Sequence, residues 1–186
     1  GGKKILVLIN PPYAEAMNAD NTSGTSDSGR KKNVSKTKVA ESMGIGGYAD
    51  RELFIQFLLR IQKELPHATL AMFSTLKYVN APNFKSFRAQ WDSDYVGGFI
   101  VPSKAFDGLK GSFPIGFLVW KTSHNDGHIS QISDILVDVL DKDAHPIGEK
   151  KFYNLPEEAY LSEWIVRPRS NEVNSVPLKN AISPAT

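Results

Sequence analysis

The stretch Ile5-Leu6-Val7-Leu8-Ile9-Asn10-Pro11-Pro12-Tyr13 determines how the rest of this 186-residue chain is interpreted. Its five consecutive apolar residues, mostly β-branched, predict a strand covered on both faces in a parallel sheet. The two prolines fix φ and remove two N–H donors, so the strand should end in a stiff turn. In open α/β sheets ligands bind beyond the carboxyl ends of the strands, so we expect a site at this turn.

Strand-like and helical patterns alternate after the turn. The last two strands of this series have no helix between them, so we expect them to be antiparallel. The alternation predicts an α/β fold. The predicted elements are a helix over 53–65 with Asp50 as N-cap and Pro66 at its end, a strand over 68–73, a short helix from Pro82 carrying Phe84, Phe87 and Trp91, and strands over 95–101 and 113–120.

The character of the sequence changes after Lys121. Apolar runs at 129–140 and 147–153 flank the turn-like residues 141–146, which predicts a β-hairpin. We therefore expect a main body over 1–121 and, over 122–186, a C-terminal hairpin with a trailing extension.

A long polar segment over 14–47 lacks periodicity and is predicted to be a mobile loop. Part of it is basic and contains no acidic residue. This part is either a solvated charged loop or a segment that contacts nucleic-acid phosphates. Its basic residues are Arg30, Lys31, Lys32, Lys36 and Lys38.

Composition excludes several classes of protein. The chain has 22 Lys and Arg against 20 Asp and Glu, so it is not a polycation. It has no cysteine, which excludes disulfides, thiolate zinc sites and a cysteine nucleophile. The histidines show no metal-ligand spacing, so no metal is expected. No apolar run approaches the roughly 20 residues that span a bilayer, so we expect no membrane partner and a cytoplasmic protein.

The turn itself suggests a chemistry. The Asn10 side-chain oxygen and the Pro11 carbonyl are acceptors able to hold both hydrogens of an NH2 group on a planar ring. Held in this way, a conjugated amine becomes pyramidal, so its lone pair is free to attack an electrophilic methyl group. The acceptors bind more strongly as positive charge grows on the nitrogen. Tyr13 supplies a ring that stacks on the substrate.

Residues 5–13, ILVLINPPY, resemble motif IV of the amino-methyltransferases, in particular the adenine-N6 DNA methyltransferases of restriction–modification systems. The resemblance extends over most of residues 3–121, in the order and spacing of the predicted elements. It implies a Rossmann-like sheet of which this chain supplies the fourth to seventh strands, the last antiparallel. Residues 1–121 would be the catalytic half.

The resemblance also implies roles for individual residues. Asn10 and Pro11, in the rigid turn with Pro12, would hold the adenine amino group, and Tyr13 would stack on the flipped base. Phe106 would face the other side of the base, although an ordinary packing role remains open. Double-stranded DNA would be the partner, because the base has to leave the duplex to be reached.

The S-adenosylmethionine site that the family requires is not evident in this sequence. Residues 43–47 are glycine-rich but follow a polar loop, so we interpret them as a hinge. We expect the cofactor to be bound mainly by a region outside this chain, preceding it rather than following it. The other partners would then be that cofactor-binding half and a target-recognition region. We expect the chain alone to bind the cofactor poorly and to be inactive.

Two other functions remain open at this point. A protein-glutamine N5 methyltransferase uses the same tetrapeptide on a side-chain amide. A degenerate methyltransferase fold would act only in DNA binding or subunit contact. The basic segment and the 122–186 region favour nucleic acid.

Overall fold

The computed structural model describes residues 4–11, 38–44, 49–107, 111–123 and 132–154. All of them belong to the first of two compact units, Gly1–Leu155, and the second unit, Pro156–Thr186, lies outside the described residues. The described residues form a mixed α/β unit with a six-stranded, partly parallel, open sheet. The strands are β1 (Leu6–Ile9), β2 (Thr69–Ser74), β3 (Ser93–Pro102), β4 (Pro114–Thr122), β5 (Asp134–Leu140) and β6 (Pro146–Tyr153). The helices are α1 (Lys38–Met43), α2 (Leu53–Glu64), α3 (Lys77–Asn80) and α4 (Lys85–Arg88).

The sheet has the strand order β1-β2-β4-β3-β5-β6. β1 is parallel to β2, and β3 is parallel to β5. β4 is antiparallel to both of its neighbours, β2 and β3, which confirms the antiparallel pairing predicted for the last two strands of the main body. The carboxyl ends of β1, β2 and β3 therefore lie at the same edge of the sheet as the beginning of β4.

The core lies between one face of the sheet and the helices. The central strands contribute Leu70, Met72, Leu118 and Trp120, all fully buried. The predicted helix over 53–65 is confirmed as α2, and it contributes buried apolar side chains to the same cluster. Phe84, Phe87 and Trp91 are also buried in it. The helix predicted to carry all three is a 3-10 turn, Pro82–Phe84, followed by α4, and Trp91 lies beyond the end of α4.

Helix α2 begins differently from the prediction. Asp50 is not its N-cap but lies in the preceding 3-10 turn, Ala49–Arg51, and the cap position is occupied by Glu52. The buried Glu52 carboxylate instead accepts a hydrogen bond from Lys77 Nζ at 3.2 Å, which ties the start of α2 to α3. Part of the predicted 14–47 loop is also helical, since α1 occupies Lys38–Met43.

The prediction that β1 is covered on both faces is wrong for the described residues. β1 is the edge strand of the sheet, and it pairs with β2 alone among them. Val7 and Ile9 pack on the core, whereas the side chains of Leu6 and Leu8 are 69% and 68% exposed. An apolar run predicts that a strand belongs in the interior, but it does not identify the elements that cover it.

The predicted hairpin is confirmed by the antiparallel pairing of β5 with β6 around residues 141–145. β5 extends the main sheet, because Phe99 and Ile100 of β3 pair with Asp138 and Val139. The apolar side of β5 buries Ile135 and Val137 in the common core. No helix of the described segments combines the length and apolarity needed to cross a bilayer.

Candidate functional site

The candidate site includes the carboxyl end of β1. Asn10 follows Ile9 directly and is exposed, and Pro11 is buried. Ile9 pairs with Met72, so continuing this parallel register brings Asn10 level with Phe73 and Pro11 level with Ser74. Neighbouring strands lie about 4.8 Å apart. Asn10 and Pro11 thus lie immediately beside the carboxyl end of β2.

A cluster of four phenylalanines lies at this end of the sheet, and we call it the phenylalanine cluster: Phe73, Phe99, Phe106 and Phe117. Three of its members are in register across β2, β4 and β3, because Phe117 pairs with both Phe73 and Phe99. Side chains alternate between the faces of a strand, so these three lie on the face opposite Met72 and Leu118. The fourth, Phe106, comes from the segment after β3.

Phe73 is the centre of this cluster. Its ring centroid is 4.8 Å from that of Phe117 and 6.2 Å from that of Phe99. It meets Phe106 edge to face at 5.6 Å, with an interplanar angle of 81°. Edge-to-face pairs are favourable because the positive edge of one ring meets the negative face of the other. The ring predicted to contact the base is therefore held by the strand next to Asn10.

Hydrogen bonds from Ser103 hold the start of the segment that carries Phe106. The Ser103 backbone N–H donates to the Phe113 carbonyl at 2.8 Å, and its hydroxyl donates to the Gly111 carbonyl at 3.0 Å. The Phe106 N–H donates to the Ser103 carbonyl at 3.1 Å, which continues a short 3-10 turn over Ser103–Ala105. These bonds fix the direction in which the chain leaves β3.

Two hydroxyl groups at the carboxyl end of β2 have no hydrogen-bond partner in the described structure. They are Ser74 Oγ, in a fully buried residue, and Thr75 Oγ1. An unsatisfied buried hydroxyl typically costs about 1–3 kcal/mol. The contacts of the described residues therefore do not account for these two hydroxyl groups at this edge of the sheet.

The structure brings Phe106 to the same edge of the sheet as Asn10 and Pro11. Lys38 is exposed at the first position of α1. The other predicted residues lie outside the described residues: Pro12, Tyr13, Arg30, Lys31, Lys32 and Lys36. Sequence reasoning missed Phe73, because its place as the last residue of the predicted strand over 68–73 was not distinctive. Only the strand order, which puts β4 beside β2, reveals its ring contacts.

Two apolar clefts open near the same edge. One, of about 490 Å³, lies between the ends of β3 and β5 and is lined by residues such as Val101 and Leu140. The other, of about 530 Å³, lies beside α3 and includes Thr75 and Phe152. Asn10 and Phe106 are not among the described residues that line them, so these clefts are separate from the predicted base site.

The hairpin turn contains three groups of metal-ligating type, Asp141, Asp143 and His145, with ligand atoms within 4.8 Å of one another. The Asp141 carboxylate accepts backbone N–H bonds from Asp143 and His145 at 2.8 and 2.9 Å. The bond from the His145 backbone is the main reason that the pKa of Asp141 is lowered. These are the hydrogen bonds of a tight turn, and they account for the grouping without an ion.

Comparison with known proteins adds no assignment to this geometry. No protein-family model matches the chain, and no curated protein is detectably similar to it.

Proposed function

We propose that this chain is the catalytic half of an adenine-N6 DNA methyltransferase of a restriction–modification system. It transfers the methyl group of S-adenosylmethionine to the amino group of a flipped adenine. Its strands β1 to β4 correspond to the fourth to seventh strands of a Rossmann-like methyltransferase sheet. The cofactor is held mainly by another half of the enzyme, and the reaction takes place in the cytoplasm.

The observation that carries the proposal is the position of Asn10 and Pro11 at the carboxyl end of a parallel strand. Asn10 is exposed and Pro11 is buried directly after β1. An exposed amide beside a fixed proline offers neutral oxygen acceptors, which suit the hydrogens of an exocyclic amine. As the amine attacks the methyl group, positive charge develops on its nitrogen, and the acceptors stabilise that charge. The methyl carbon forms a bond to nitrogen while its bond to sulfur breaks, and the nitrogen then loses a proton.

The aromatic residues give a second line of support. A flipped adenine loses its stacking partners in the duplex, and protein rings offset that loss. Phe106 lies on the segment that follows β3, at the edge of the sheet where Asn10 lies, and it is half-buried against Phe73. A ring held in this way presents a defined surface to a planar base.

The edge position of β1 supports the separate cofactor-binding half. β1 contains no charged residue, proline or bulge, the devices that normally protect an edge strand from further pairing. Leu6 and Leu8 expose most of their surface on one face. Parallel sheets are usually covered on both faces, so a further strand and its helices would complete this edge.

The direct test is methyl transfer by the complete enzyme that contains this chain. Tritium from S-adenosyl-methionine labelled in the methyl group should enter duplex DNA as N6-methyladenine. Asn10→Ala should lower the rate by about 100-fold or more, the effect typical of losing one preorganised charge-stabilising group. Asn83→Ala, which removes another exposed amide, is the matched control and should retain full activity.

The same assay separates the competing functions. Labelling of a glutamine-containing peptide instead of DNA would identify a glutamine methyltransferase. Full biological activity of the Asn10→Ala enzyme would indicate a degenerate fold that serves as a scaffold. Either result would overturn the proposal.

Residues 1–186 alone should bind S-adenosylmethionine poorly and should not methylate DNA. Isothermal titration calorimetry of the isolated chain with the cofactor measures this directly. Tight binding would place the cofactor site within the chain and contradict the division into two halves.

A further inference from the structure

We propose that Phe73 is a positioning residue that holds the Phe106 ring for stacking on the target base. This inference rests on the proposed function, because it assigns Phe106 to the base. It adds a residue of β2 to the site, and it is independent of the turn chemistry at Asn10.

The contacts single out Phe73 among the four rings of the phenylalanine cluster. It is in ring contact with Phe99, Phe106 and Phe117. Phe99 and Phe117 stack on each other at 5.3 Å with an interplanar angle of 26°, so they form a paired platform beside Phe73. Within the described part of the chain, the ring that Phe106 meets is Phe73.

The position of Phe73 in the sheet connects the two sides of the site. Continuing the register of β1 with β2 brings Asn10 level with Phe73. Pairing of β2 with β4 fixes Phe73 opposite Phe117 from the other side. A residue fixed in a central strand has little freedom to move, whereas Phe106 belongs to an irregular segment. Phe73 therefore transmits the rigidity of the sheet to the ring that would meet the base.

The physical effect is preorganisation. A ring that is already oriented loses less freedom when the base stacks on it, so more of the stacking energy appears as affinity. Removing the Phe73 ring should leave Phe106 present but less ordered. The expected loss is about fivefold in affinity for the flipped base, which lies within the range of one aromatic pair.

The first arm of the test examines the free protein. The ten phenylalanines are replaced by 4-fluorophenylalanine, and the Phe106 resonance in the ¹⁹F NMR spectrum is assigned by its disappearance in Phe106→Leu. Phe73→Leu should shift and broaden this resonance, because it removes the neighbouring ring current and the edge-to-face contact. Phe99→Leu is the matched control: it removes another partner of Phe73 and should leave the Phe106 resonance close to its original position.

The second arm measures binding of the base by the complete enzyme that contains this chain. Two fluorescein-labelled duplexes are compared by anisotropy, one with 2-aminopurine opposite an abasic site and one with an abasic site in both strands. The ratio of their Kd values reports how strongly the extruded base is held, and stacking on one ring is worth roughly 5- to 150-fold. Phe106→Leu should abolish most of this ratio, Phe73→Leu should reduce it about fivefold, and Phe99→Leu should preserve it. Phe73→Met, which fills the space without a ring, replaces Phe73→Leu if the latter does not fold.

The outcomes are distinct. An unchanged Phe106 resonance in Phe73→Leu refutes the positioning role, whatever the DNA result. A shifted resonance together with a wild-type ratio near one refutes the proposed function, and the base-positioning role fails with it. If the ratio of Kd values is well above one in the wild type and Phe73→Leu leaves it unchanged, the positioning role is overturned. The proposed function is not affected by that result.

Discussion

Replacement of Gly98 by alanine should lower the free energy of unfolding by about 2 kcal/mol, a net effect mostly set by overpacking. Gly98 lies in β3 and pairs with Leu118 of β4. A Cβ atom at this position would be 2.3 Å from the Phe117 carbonyl oxygen and 3.0 Å from the Leu118 Cα. Both are backbone atoms of a strand that is paired on both sides, so β4 cannot retreat without weakening its pairing with β2 as well.

The magnitude follows from three contributions. Overpacking in a well-packed region typically costs about 1–3 kcal/mol. Loss of one ladder hydrogen bond through strand displacement adds about 1 kcal/mol. The smaller conformational entropy of unfolded alanine offsets about 0.4–1 kcal/mol of this loss.

The neighbouring glycine provides the control. A Cβ atom at Gly97 would have no atom within 4 Å, although Gly97 belongs to the same strand. Gly97→Ala should therefore be neutral or stabilise the protein by up to about 1 kcal/mol through the unfolded state. The two substitutions are chemically identical, so their difference reports two features of Gly98: the close approach of β3 to β4 and a φ of +158°, which alanine rarely adopts.

Urea unfolding followed by far-UV circular dichroism at 25 °C measures both variants. With a slope of about 2 kcal/mol per molar urea, a loss of 2 kcal/mol lowers the midpoint by about 1 M. Equal midpoints for Gly98→Ala and Gly97→Ala would refute the assigned β3–β4 packing. That packing also sets the position at which the chain leaves β3 towards Phe106.

The remaining predictions concern single polar groups. Ser74→Ala should leave the urea midpoint unchanged or raise it, because Ser74 Oγ is buried without a partner in the described structure. A fall of more than about 1 kcal/mol in the free energy of unfolding would reveal a hydrogen bond to that hydroxyl. Tyr78→Phe should cost about 1–3 kcal/mol in the same assay, because it removes the acceptor 3.0 Å from the buried Trp120 Nε1, and a neutral result would argue against this bond. Burial, followed by the nearby Asp138 charge, raises the pKa of Tyr95 to about 12, so the neutral phenol favours the folded state. The stability that Tyr95 contributes is therefore complete below about pH 10 and is lost as the pH rises towards 12. Between pH 9 and 11 the free energy of unfolding should fall less in Tyr95→Phe than in the wild type. Equal falls in the two proteins would contradict the shifted pKa.

Local patterns predicted those elements whose structure depends on local spacing. The 3.6-residue period identified α2, and Phe84 and Phe87 are buried in the helical segment that this spacing predicted, whereas Trp91 is buried beyond its end. The hairpin also follows from local information, because alternating strands flank a turn-forming segment. The N-cap of α2 was misassigned because Asp50 has the preferred residue type but lies in a separate 3-10 turn.

The sequence did not reveal contacts that depend on strand order. β2 and β4 are adjacent in the sheet although β3 lies between them in the chain. No local pattern in residues 69–74 indicates that Phe73 meets rings from three later positions. The candidate site was therefore predicted at the Asn-Pro turn and at Phe106, whereas the residue that links them required the structure.

The incorrect prediction for β1 has a physical explanation that bears on function. The amino-acid composition of a strand reflects the environment in which that strand is stable. The apolar residues of β1 are typical of a strand that is covered on both faces. Among the described residues of β1, Val7 and Ile9 pack on the core, whereas Leu6 and Leu8 remain exposed. Removing their apolar surface from water is favourable, by about 25 cal/mol per Å² buried. Any element that adds to this edge therefore gains both backbone pairing and hydrophobic burial beside Asn10. In the proposed enzyme, the cofactor-binding half would gain both on joining β1, so the contact that stabilises its assembly would also bring the methyl donor towards Asn10 and Pro11.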